Sequence, residues 1–168
     1  MKRVFPAVLA LTVALTALDS SQPGQARPSA PKPAVLGVSS FGAKLRLESV
    51  LARLESYSGK TPYVFSGSTP AGWDCSGLVA WTYKQLLINL PHSANKQAHL
   101  GKRVSDPQAG DIVAFAYPGS ITFYHSAIYV GGGKIINANR YWGKTLIQPL
   151  SAPDFKNSQV RFIRITIK

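Results

Sequence analysis

Residues 73–81 read WDCSGLVAW and contain the only cysteine in the chain. Asp74 precedes it, Ser76 and Gly77 follow, and apolar residues at helical spacing begin at once. The preceding stretch, TPYVFSGSTPAGW (residues 61–73), is dense in Gly, Pro and Ser and reads as a loop. Leu78, Val79, Leu86 and Leu87 then predict a helix from about Cys75 to Ile88, with Pro91 just beyond it. Asp74 is a good N-cap by type. The spacing therefore sets the Cys75 sulfur in a first helical turn, where unpaired N–H groups and the helix dipole favour a thiolate. A buried, inert cysteine at a helix start is the alternative reading.

Before this stretch, GAKLRLESVLARLESYSG (residues 42–59) places Leu47, Val50, Leu51 and Leu54 on one helical face, with Gly59 as a stop. After it come strand-like runs. GDIVAFAY holds a short apolar segment, HSAIYVGGG a strand closed by a glycine turn, and KIINAN its return partner. TLIQPL and QVRFIRITIK supply two more, the last with Arg161 and Arg164 among Val160, Phe162, Ile163 and Ile165. Helices first and an antiparallel sheet afterwards make an α+β layout.

The first residues do not fit that core. MKR is followed by an apolar run, then by polar residues and Gly24-Gln25-Ala26, as in a secretory signal peptide over residues 1–26. The charge-free segment from Val4 to Leu18 contains Pro6 and is short for a membrane span, so no stable span is expected. Residues 27–41, rich in Pro, Ser and Ala, read as a flexible linker, and 42–168 as the folded domain. Export makes a single cysteine informative. It has no intramolecular partner, and a lone thiol outside the cell is exposed to oxidation unless it has a use.

The net charge is +12, and removing residues 1–26 with Lys2, Arg3 and Asp19 leaves +11. Such a surface suits anionic polymers. No basic helix or aromatic-basic stripe marks a nucleic-acid reader. One Cys and three scattered His residues do not make a zinc site, so neither metal nor cofactor is expected.

A cysteine nucleophile needs a base. His92 and His99 lie in polar connections and read as surface residues. His125 opens the apolar strand HSAIYV, so a rigid element holds its ring. If Gly131-Gly132-Gly133 makes a hairpin, Asn137 returns beside His125 and its amide can orient the imidazole, as in Cys-His-Asn arrangements. By spacing alone, a hairpin-edge Asn with no such role is the more ordinary reading.

TPYVFSGSTPAGWDCSGLVAW resembles the signature of the NlpC family of cell-wall cysteine peptidases. LPHSANKQ, QAGDIVAF and HSAIYVGGGKIINAN resemble its later blocks, in order, over about residues 43–150. The resemblance implies a papain-like core with the Cys-bearing helix packed on an antiparallel sheet. It implies Cys75 as nucleophile and His125 as base, and the family's third polar residue falls on Asn137, where His is more usual. It also assigns Tyr63 to the developing oxyanion and Ser76 and Asp74 to the substrate cleft, although Asp74 also reads as a plain cap. Trp73, Tyr124, Tyr141 and Trp142 read as core or cleft wall. Arg140 reads as a solvated side chain or as a contact for a substrate carboxylate.

The implied activity is hydrolysis of peptidoglycan stem peptides between D-glutamate, through its γ-carboxyl, and a diamino acid. The setting is secreted or wall-associated, with anionic wall polymers as possible further partners of the basic surface. An amidase or other acyl hydrolase on the same scaffold, or a wall-binding domain with a weak site, are the alternatives.

Overall fold

The computed structural model describes residues 40–167. The expected signal peptide and nearly all of the expected linker lie outside the described residues. Helix α1 spans Ser40–Glu55, and the predicted face is the one that packs. Leu51 and Leu54 are buried, and Leu47 and Val50 lean on the same cluster. The helix ends before Gly59, whose left-handed backbone (φ 77°) turns the chain so that its N–H reaches Thr145 O at 2.8 Å.

The loop that follows carries one short antiparallel ribbon, β1 (Ser68–Thr69) on β2 (Gly72–Trp73). Trp73 is fully buried, and its indole N–H donates to Thr145 Oγ1 at 2.7 Å. Its ring meets Tyr57 edge-on and tilts against Trp81. Trp73 is thus core and not cleft wall.

Helix α2 runs from Cys75 to Lys84, shorter than the predicted span to Ile88. Leu87 adopts a left-handed conformation (φ 63°), and the Ile88 N–H closes onto Tyr83 O at 3.0 Å. This is a Schellman-type ending with leucine where glycine is usual. Its side chain, 86% exposed, packs on little. A short helix α3 (Ala94–Gln97), capped by Ser93, follows.

Six strands form one antiparallel sheet: β3 (Lys102–Val104), β4 (Ile112–Ala116), β5 (Phe123–Gly131), β6 (Lys134–Asn139), β7 (Lys144–Pro149) and β8 (Gln159–Arg164). Their order is β3-β8-β4-β5-β6-β7. The period of two in β4 divides the core. Ile112, Ala114 and Ala116 join Leu78, Val79 and Tyr83 of α2 on one face. Val113 and Phe115 join Ala127, Ile135 and Phe155 on the other. Phe155 belongs to a 3-10 turn, Pro153–Phe155, that the sequence did not reveal. The arginines of β8 are anchored: Arg164 grips Asp111 with two nitrogens at 2.9 and 2.7 Å, and Arg161 lies 4.5 Å over the Phe123 ring. The α+β architecture expected from the sequence is the one observed.

The Gly131-Gly132-Gly133 hairpin forms as predicted, with positive φ at all three residues. Ile128 faces Ile136 and Tyr129 faces Ile135, and a bulge between Tyr129 and Gly131 shifts the register by one before Gly131 faces Lys134 at the turn. No register pair joins β5 to β6 beyond Ile128 towards His125. The two strands part at that end of the sheet.

Two substitutions test these contacts. Gly77→Ala favours the helix by propensity, but its Cβ overlaps the Gly67 carbonyl oxygen. Overlap with backbone dominates, so urea unfolding should register a loss of about 1–3 kcal/mol. Leu87→Gly should do the reverse, relieving a left-handed leucine at an exposed site and adding about 1 kcal/mol. A stabilising Gly77→Ala or a destabilising Leu87→Gly would contradict the packing described.

Candidate active site

Asp74 caps α2: its Oδ1 accepts the Gly77 N–H at 2.7 Å. The same carboxylate accepts the Ser76 hydroxyl at 3.1 Å and, through Oδ2, the Ser66 N–H at 3.1 Å. His92 Nε2 adds a contact of 2.7 Å to Oδ1. Burial alone would push the Asp74 carboxyl up, but the Gly77 N–H, His92 and the Ser76 hydroxyl outweigh it and hold it low. His92, read from sequence as a surface residue, is indeed accessible, yet it is tied to the residue beside the cysteine. His99 stays at the surface, its Nδ1 2.7 Å from Asn95 O.

Cys75 sits at the first position of α2, as expected, but its electrostatics differ from the expectation. Burial pushes the thiol up, and the Asp74 charge adds to this; N–H groups of Ser126, Ser76 and Cys75 itself offset only part. The helix start does not yield a resting thiolate, because desolvation outweighs the helix terminus. The backbone N–H of Ser126, the neighbour of His125, lies near enough to the sulfur to favour its ionised form. No register pair ties Ser126 to β6.

Gln97 fixes this junction from behind. It is fully buried, and its amide nitrogen donates to Ser76 O at 2.9 Å and to Pro91 O at 2.8 Å. Its Oε1 accepts the Ser126 hydroxyl at 2.7 Å. One side chain therefore spans from the residue after Cys75 to the residue after His125. Sequence reasoning quoted Gln97 within LPHSANKQ without assigning it a part.

His125 stacks on Phe155 at 5.2 Å and tilts against Phe115 at 5.7 Å. This apolar enclosure pushes its pKa down to about 4, against the upward pull of Asn137 and of the Asp154 and Asp74 charges. Its Nε2 and the Oδ1 of Asn137 are both buried, and neither has a hydrogen bond of strict geometry. Asn137 lies near enough to the ring to favour its charged form.

The orientation of Asn137 follows from its other neighbours. Asp154 is a carboxylate and only accepts. Its Oδ2 takes the Gln148 amide N–H at 3.1 Å and the Asn139 amide N–H at 2.8 Å. Gln148 must therefore turn its Oε1 the other way, where it accepts the Asn137 amide N–H at 3.1 Å. Asn137 then presents Oδ1 to His125. An acceptor facing Nε2 selects the tautomer with hydrogen on Nε2 and a free lone pair on Nδ1. Gln148 and Asp154 were not singled out in the sequence, since only the folded strands bring them beside Asn137.

Cys75, His125, Tyr63, Asp74, Ser76 and Arg140 border one cleft of about 560 Å³. Asn137 lies behind His125 and outside the cleft wall. Burial and the neighbouring Cys75 and Asp74 charges raise the Tyr63 phenol, and Arg140 lowers it. Tyr124 and Tyr141 line the same cleft, whereas Trp142, 56% exposed, does not. Among the described residues no group of three or more His, Cys, Asp or Glu side chains could hold a metal ion. None of the described helices is long and apolar enough to cross a membrane.

Residues 59–164 match the NlpC/P60 family. A probable endopeptidase of Mycobacterium tuberculosis is 35% identical over 136 residues, covering 80% of this chain and 34% of that protein. A gamma-DL-glutamyl hydrolase of Bacillus subtilis is 41% identical over 126 residues, 70% of this chain and 30% of its own length. This chain thus spans about a third of each. The structure of an NlpC/P60 family protein from Bacillus cereus superposes with a TM-score of 0.65 at 27% identity, covering 73% of this chain and 40% of that one. With the sequence blocks, the sheet and the cleft in agreement, the chain belongs to the NlpC/P60 family.

Proposed function

We propose that the protein is a secreted peptidoglycan endopeptidase that cuts stem peptides between γ-linked D-glutamate and a diamino acid by cysteine catalysis. The observation that carries this reading is that Cys75, at the head of α2 behind its Asp74 cap, and His125 border one cleft together with Tyr63. Membership of the NlpC/P60 family and the likeness to a gamma-DL-glutamyl hydrolase support the bond type.

The resting pair is neutral thiol and neutral imidazole, since burial raises one pKa and lowers the other. His125 Nδ1 takes the thiol proton as sulfur attacks the γ-carbonyl carbon. Negative charge develops on the carbonyl oxygen and is held by the Cys75 N–H and the Tyr63 hydroxyl. The C–N bond breaks, and the imidazolium gives its proton to the departing amine. His125 then deprotonates a water that attacks the thioester, releasing the D-glutamyl carboxylate and restoring the thiol. Ser76 and Asp74 form the adjoining cleft wall, and Asp74 also fixes the start of α2. The basic surface holds the protein on anionic wall polymers, an attraction that salt weakens.

Digestion of purified peptidoglycan followed by mass spectrometry tests the reaction. The protein should release fragments ending in D-glutamate, and Cys75→Ala should release none while still binding walls. Undiminished release by that variant would remove Cys75 from the mechanism. Fragments cut between sugar and peptide would mark an amidase instead.

The pH dependence carries the sign of the burial. His125 remains a neutral base until the pH falls to about 4. The acid limb of kcat/KM should therefore lie well below the ordinary imidazole range near 6.5. Alkylation of Cys75 by iodoacetamide in the free protein should keep rising through the alkaline range instead of levelling off below neutral pH. A limb near 6.5, or a thiol fully reactive at pH 6, would contradict the enclosed neutral pair.

Gln148→Leu should leave Asn137 free to flip its amide. We expect kcat to fall about tenfold or more with KM little changed, and the acid limb of the pH profile to move. An unaltered kcat and limb would show that Gln148 does not orient the base.

A further inference from the structure

Among the described residues three charged side chains border the cleft: Asp74, Asp154 and Arg140. Two of them are already satisfied. Asp74 holds Gly77, Ser76, Ser66 and His92, and Asp154 holds Asn139 and Gln148. Arg140 is different. It is exposed, and it forms no ion pair and no side-chain hydrogen bond among the described residues. Of the three, Arg140 alone has its hydrogen-bond donors open to a ligand among the described residues.

Arg140 is also held in place at its backbone. Asn139 Oδ1 accepts the N–H groups of Tyr141 at 2.9 Å and Trp142 at 3.2 Å, and Asn139 is itself anchored to Asp154. The Gly143 N–H closes the turn on Arg140 O at 3.3 Å, and the Tyr63 N–H bonds Gly143 O at 2.8 Å. The turn bearing Arg140 is thereby tied to the residue that faces the developing oxyanion. Its charge already reaches the Tyr63 phenol. An anion bound by Arg140 would lie close to the scissile carbonyl.

We propose that Arg140 is a specificity-determining residue that binds the free α-carboxylate of the D-glutamyl residue. The inference deepens the proposed function and rests on it. In a γ-linked glutamyl residue this carboxylate hangs three carbons from the carbonyl under attack, nearer than any other carboxylate on the acyl side. A guanidinium engages a carboxylate with two parallel N–H bonds. It gains far less from the neutral amide of D-isoglutamine, which offers one oxygen and no charge. The protein should therefore prefer stem peptides whose D-glutamate is not amidated.

The test uses the full chain and two synthetic stem peptides, L-Ala-γ-D-Glu-diaminopimelate and its D-isoglutamine counterpart. The wild type should cut the carboxylate peptide with a kcat/KM roughly 10–100-fold higher. Arg140→Gln should lose that preference, almost all of it through slower cleavage of the carboxylate peptide, and Arg140→Lys should recover part. Thermal melting checks that the variants are folded, which an exposed turn residue should not disturb. Equal wild-type rates on both peptides would overturn the inference and leave the proposed function standing. So would an equal loss on both in Arg140→Gln, which would instead make Arg140 an electrostatic support for the sulfur or Tyr63. A wild type that cuts neither peptide would overturn the proposed function and this inference with it.

Discussion

A single carboxylate organises the site. Asp74 gathers donors from the loop before it, from the first turn of α2 and from the segment ahead of α3. Removing a charge from water is costly unless hydrogen bonds replace hydration, and four donors do so here. Gly67 and Gly77 permit the arrangement, because the Gly67 carbonyl lies where a Cβ on Gly77 would stand. The sulfur is thus located by its neighbour's bonds and not by its own. The same proximity works against ionisation, since the Asp74 charge raises the thiol. Position and reactivity pull in opposite directions, and in the proposed mechanism His125 resolves the conflict by taking the proton only when the bond forms.

The sheet contributes by failing to pair. β5 and β6 pair from Ile128 and Ile136 to the glycine turn, with one bulge on the way, and β7 holds Asn137 opposite Leu146. Farther along no register pair joins them, and the Ser126 N–H there lies near enough to the sulfur to favour its ionised form. β6 is instead paired along its whole length with β7, from Lys134 opposite Pro149 to Asn139 opposite Lys144. That pairing is what brings Gln148 alongside Asn137 and Asn139.

Much of this was readable from the chain. The two long helices and the hairpin announce themselves by period and by glycine, and Cys75 and His125 stand out by type and by the elements that carry them. The hairpin spacing offered Asn137 as a partner for His125, and the family signature added Tyr63. Other features have no local signal. Leu87 ends α2 in a backbone conformation that its residue type disfavours, so an apolar pattern running on to Ile88 misled. β3 is three residues long and carries two exposed side chains. Whether Cys75 ionises depends on how deeply it is covered, and a helix start alone suggests the wrong direction. Gln97, Gln148 and Asp154 act across separations of 6 to 29 residues through hydrogen bonds that exist only after folding.

The two sides of the sheet are unequally roofed. Among the described residues, two long helices shield one side, while over the imidazole on the other lies a 3-10 turn whose Phe155 covers the ring. Small openings of a turn cost far less than melting a domain. Each such opening would wet the imidazole, restore its ordinary basicity and free it to rotate while the helices and strands stay formed. Warming or acid would then silence the chemistry at a point where calorimetry still reports an intact protein, and a single ring would set the working range of the whole molecule.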